Sequence, residues 1–118
     1  MLQFDASSNG SEIELKTGEK FEIVLRENPT TGFRWHLVAN GEPACRLLGN
    51  SFEPGKSRDK SGNPAWGVGN ETGNGGDHSW QFQAVQPGFV KIEFVYRRSW
   101  EQAVPPAQSF TLTVHIRA

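Results

Sequence analysis

Ser109-Phe110-Thr111-Leu112-Thr113-Val114-His115-Ile116 alternates between apolar and polar side chains. Phe110, Leu112, Val114 and Ile116 fall on one side of an extended chain, and Thr111, Thr113 and His115 on the other. A period of two marks a strand with one buried and one wet face. Burying each inward side chain stabilises the fold by about 1.5–3 kcal/mol.

The same alternation recurs upstream. Ile13 and Leu15 alternate with Glu12, Glu14 and Lys16, and Phe21, Ile23 and Leu25 with Glu22, Val24 and Arg26. Trp35 and Leu37 alternate with Arg34 and His36, and Trp80, Phe82 and Ala84 with Gln81 and Gln83. Val90, Ile92, Phe94 and Tyr96 alternate with Lys91, Glu93 and Arg97. Thirteen glycines and seven prolines punctuate these runs, at Thr17-Gly18, Asn40-Gly41 and Gln86-Pro87-Gly88 among others. No stretch reads as a helix longer than one turn. Short strands at this spacing predict an all-β fold, an immunoglobulin-like β-sandwich with functional loops at one end.

With 118 residues the chain is expected to form a single domain over 1–118. A net charge of -1, with Lys and Arg scattered, argues against a nucleic-acid partner. No apolar run approaches the roughly 20 residues that span a bilayer, so no membrane partner is expected. The lone Cys45 has no disulfide partner within the chain and reads as a small buried thiol among Ala44, Leu47 and Leu48. Met1-Leu2-Gln3-Phe4-Asp5 carries neither a basic nor an apolar signal region, which reads as cytoplasmic. A trimmed N-terminus would instead fit a periplasmic or secreted protein.

Catalysis finds no constellation. His36, His78 and His115 are dispersed and lack metal-ligand spacing, so no metal or other cofactor is expected. Carboxylates form no recognisable acid–base pair. Gly67-Val68-Gly69 and Gly73-Asn74-Gly75-Gly76 suggest a phosphate loop, but no Lys-Ser/Thr pair or helix start follows. The chain does not read as an enzyme.

Three stretches interrupt the strand pattern: Asn28 to Phe33, the glycine-rich run from Asn50 to His78, and Arg97 to Glu101. In the first, Pro29 confines Asn28 to extended geometry and fixes its own φ, while Gly32 admits a positive φ. Thr30 and Thr31 are β-branched and stiff between them. A stiff, slim, hydroxyl-bearing tip is expected. A plain turn is the competing reading of that hexapeptide taken alone.

Asn28-Pro29-Thr30-Thr31-Gly32-Phe33, Gly73-Asn74-Gly75-Gly76 and Arg98-Ser99-Trp100 occur in that order, each on an inter-strand connection. This set resembles the chagasin family of cysteine-peptidase inhibitors, whose signatures are N-P-T-T-G-F/Y, G-x-G-G and R-P-W/F. Ser99 stands where the family usually has proline. The resemblance implies a reversible, tight-binding inhibitor whose partners are papain-like cysteine peptidases, and the chain is expected to be a monomer. It further implies that 29–32 sits over the peptidase's catalytic Cys–His centre, with Thr31 nearest the nucleophile. Gly73 to Gly76 would line the unprimed subsites, and Arg98 and Trp100 the primed side. Trp35 and Trp80 fit inward strand positions, whereas Trp66 and Trp100 fall on connections. Two exposed tryptophans would also suit a non-catalytic adhesion or carbohydrate-binding sandwich, the alternative reading.

Overall fold

The computed structural model describes residues 1–28, 31–54, 75–101 and 103–118. Among them, β1 (Leu2–Phe4), β3 (Lys20–Glu27), β6 (Gly76–Ala84) and β5 (Cys45–Pro54) form one sheet in that order. The other sheet runs β2 (Ser11–Lys16), β8 (Gln108–Arg117), β7 (Gly88–Arg98), β4 (Phe33–Asn40). The outer pairs β1–β3 and β2–β8 are parallel, and the remaining pairs are antiparallel. The helical content of the described residues is one 3-10 turn, Ala6–Ser8, capped by the Asp5 carboxylate. The fold is the expected immunoglobulin-like sandwich.

The core lies where the alternating residues place it. Phe21, Ile23, Leu25, Phe82 and Ala84 are sealed from solvent on one sheet, and Ile92, Phe94, Phe110, Leu112, Val114 and Ile116 on the other. Phe21 stacks on Phe82 within its sheet, and Trp80 meets Phe94 across the gap at 4.4 Å between ring centroids. Trp35 joins this cluster.

Two strands are not visible in the alternation. β1 contributes only Leu2 to Phe4, too short a run to show a period. β5 occupies the edge of its sheet and slips register between Leu47 and Gly49, which switches the inward parity midway. The glycine-rich interruption is therefore narrower than Asn50 to His78: Asn50 to Pro54 extends β5, and Gly76 opens β6.

Cys45 is buried at the opening of β5, close against Gly41. Burial pushes its thiol up to about 11, so the nucleophilic thiolate is scarce in the folded state. Iodoacetamide at about pH 8 is expected to leave the native protein unlabelled and to modify Cys45 once denaturant is added. Rapid labelling of the folded chain, read by intact mass, would contradict this placement.

Candidate functional site

Strand register decides where the three interruptions lie. Glu27, closing β3, pairs with Gly76, opening β6, and Gly76 also pairs with Pro54, closing β5. Phe33, opening β4, pairs with Arg98, closing β7, and Tyr96 pairs with Gln108 at the start of β8. The β3–β4, β5–β6 and β7–β8 connections thus leave the sandwich at one pole. Phe33, Gly76 and Arg98 are strand ends rather than loop residues, as is Arg97 inside β7. Their motifs run past the loops into the ladders because the ladders hold the loop stems. Pro29, Thr30, Gly73, Asn74 and Trp66 lie outside the described residues.

The first loop is fastened from within. Thr31 donates its backbone N–H to Asn28 O at 3.2 Å, and its hydroxyl donates to the same carbonyl at 2.8 Å. The Thr31 hydroxyl in turn accepts the Phe33 N–H at 3.3 Å. Gly32 has φ +84°, as its position before β4 requires.

It is also fastened to the third loop. Arg98 Nε donates to Thr31 O at 3.1 Å while its guanidinium lies 4.4 Å over the Phe33 ring. Tyr96 stacks between Phe33 and Trp35, and its hydroxyl accepts the Asn28 N–H at 3.1 Å. The Trp100 ring rests against Gly32 so closely that an added Cβ would stand 2.5 Å from Cη2. Trp100 nevertheless remains 71% exposed. Ser99 sits second in the turn Arg98–Glu101, closed by Glu101 N–H to Arg98 O at 3.1 Å and by an Arg98–Glu101 ion pair at 3.5 Å. Proline favours that turn position, but the turn forms without it.

On the second connection, Gly75 is buried against the Arg26 guanidinium, where a Cβ would meet Nη2 at 2.9 Å. Arg26 also pairs with Asp77 at 3.7 Å.

Beneath the pole lies a polar group that the motif reading overlooks. Glu27 is 2% exposed and accepts Trp35 N–H at 2.7 Å and faces His78 Nδ1 at 3.0 Å. Burial alone would raise its carboxyl. Hydrogen bonds from His78 and Trp35, with the electrostatic influence of His78 and Arg34, outweigh that and hold it below the ordinary 4.5. The signal was present in the sequence: Glu27 continues the inward parity of Phe21, Ile23 and Leu25, and His78 that of Trp80 and Phe82. Among the described residues, no group of three His, Cys, Asp or Glu could hold a metal ion.

Residues 14–114 match the chagasin family peptidase inhibitor I42 model. The chain belongs to the chagasin family. It is a peptidase inhibitor and not an enzyme. Amoebiasin-1 of Entamoeba histolytica is 32% identical over 118 residues, covering 98% of this chain and all of that one. The crystal structure of the cysteine protease inhibitor EhICP2, also from Entamoeba histolytica, superposes with a TM-score of 0.79 at 21% identity, covering 98% and 95% of the two chains. PbICP-C, solved in complex with falcipain-2, superposes with a TM-score of 0.51 at 16% identity, covering 97% and 87%. At those identities the two structures speak for the fold.

Two outcomes check the geometry. Replacing Gly32 by Ala should cost about 1–2 kcal/mol in urea unfolding, because an L side chain is disfavoured at positive φ. It should also shift tryptophan emission as Trp100 is displaced, and an unmoved midpoint would count against the contact. Because the folded Glu27 carboxyl binds its proton less readily than the unfolded one, its stabilisation is full above 4.5 and fades as pH falls through the lower folded-state value. Thermal midpoints taken between about pH 6 and 3 should therefore fall more steeply for the native chain than for Glu27→Gln.

Proposed function

We propose that the protein inhibits papain-like cysteine peptidases by seating the three loops at this pole in the active-site cleft. The observation that carries the reading is the pairing of Trp100 with Gly32: a large aromatic side chain held in place by a fixed loop yet left open to solvent. An exposed, immobilised aromatic is suited to a partner rather than to the core.

In this reading 29–32 enters the cleft over the catalytic centre. Its closed hydrogen bonds mean that little chain entropy is lost on docking, and the slim profile of Gly32 suits a narrow cleft. Gly73 to Gly76 lies along the unprimed wall in this reading, with Gly75 and Gly76 buried at the stem of that loop. Arg98 and Trp100 cover the primed side. The Thr31 hydroxyl is engaged within its own loop, so backbone and methyl group face the thiolate. Blockage without cleavage follows when no carbonyl is presented in line with the nucleophile. The match of 14–114 to the chagasin family peptidase inhibitor I42 model, with Amoebiasin-1 as a relative over the whole chain, supports the same reading. The adhesion alternative has less support, since the family matched is one of peptidase inhibitors.

Titration of papain with the protein, followed with a fluorogenic peptide, should reach full inhibition near equimolar ratio. Trp100→Ala should weaken inhibition by about tenfold or more, the effect of losing an anchor worth about 2 kcal/mol. Its unfolding midpoint should stay near the native value, as for other exposed side chains. A matching fall in stability would assign Trp100 to the fold, and no inhibition by the native chain would reject the reading.

A further inference from the structure

We infer that Glu27, His78 and Asn50 are positioning residues for inhibition, forming a hydrogen-bonded relay that sets the first loop against the second. The inference rests on the inhibitory reading above. Glu27 is the last residue of β3, immediately before the first loop. Its carboxylate holds the N–H of Trp35, just beyond that loop on β4, so one side chain ties both stems. The other carboxylate oxygen faces His78 Nδ1 on β6, and His78 Nε2 lies 2.9 Å from Asn50 Oδ1 on β5. β5 and β6 are the stems of the second loop. Four strands from two different sheets therefore converge on one carboxylate and one imidazole.

The placement favours positioning over bulk stability. The sandwich already has a continuous apolar core, and a buried carboxylate–imidazole pair is a poor substitute for more of it. Packing between sheets is non-directional, whereas hydrogen bonds fix distance and angle. The imidazole is further held by stacking on Trp80 at 3.9 Å and 9°, with Phe52 edge-on at 6.1 Å. Binding loops need such support, because a docking geometry must be kept to about 0.5 Å.

His78→Phe keeps a flat ring on Trp80 and removes both hydrogen bonds, and Asn50→Ala removes only the outer link. Each is to be measured for inhibition of papain well below its unfolding midpoint, and for the amide resonances of Thr31, Gly32 and Gly75 in the free protein. His78→Phe should inhibit about tenfold more weakly or worse, equivalent to 1.4 kcal/mol, while fully folded. Asn50→Ala should lose several-fold, and amides of both loops should move. Glu27→Gln, which can still accept from Trp35 N–H and donate to Nδ1, should stay within a few-fold of native. A folded His78→Phe variant with native inhibition, or with unmoved loop amides, overturns the inference. Should His78→Phe not fold, Asn50→Ala decides by the same two readouts. A native chain that fails to inhibit papain rejects the inhibitory reading instead, and the loop amides of the free variants then decide this one.

Discussion

Among the described residues the two sheets share no backbone ladder, yet the chain must pass from one to the other between β3 and β4. Glu27 governs that crossing. Its carboxylate leaves the end of β3 and captures a backbone N–H of β4, replacing by a side chain the bond that a ladder would supply. An edge N–H buried at this gap would otherwise go unpaired, at about 1–3 kcal/mol. Breaking the anion's own pairing would cost more, which is why His78 lies against it.

The wedge follows from this crossing. The first loop spans the thickness of the sandwich, about 10 Å between stacked sheets. On either side of it stands a hairpin end, β5–β6 from one sheet and β7–β8 from the other. A narrow central probe with a flanking loop on each side is what two stacked sheets produce when the chain changes sheet at one pole. The flanks differ in chemistry accordingly. On the β5–β6 side the Arg26 guanidinium covers Gly75 and pairs with Asp77, and the β7–β8 side carries a guanidinium over Phe33 and an exposed indole.

How much of this was legible depends on the physical range of each signal. The inward faces of β3, β6, β7 and β8 were readable because burial repeats every second residue, from Phe21 to Leu25 and from Phe110 to Ile116. β5 escaped because a bulge shifts its parity, and β1 because three residues carry no period. The loop motifs were readable as strings of residues, but their partners were not. That Arg98 reaches Thr31 O, 67 residues away, depends on which strands pair, and the sequence does not display pairing. Glu27 was half legible: its parity marked it as inward, and only the fold supplies His78 and Trp35 as the partners that make a buried carboxylate tolerable.

Gly32 and Trp100 act as one unit, and this bears on why Ser99 is tolerated. Proline at the second turn position would restrict the turn before folding, reducing the entropy lost on ordering it. Here the turn is restrained after folding instead, by the Arg98–Glu101 pair, by Arg98 on Thr31 O and Phe33, and by the Trp100 ring on Gly32. These restraints borrow rigidity from the first loop, which in turn rests on Glu27. The third loop is therefore only as fixed as the first. A side chain at position 32 would loosen both at once, since the same Cβ that strains the positive φ would also lift the indole from its seat.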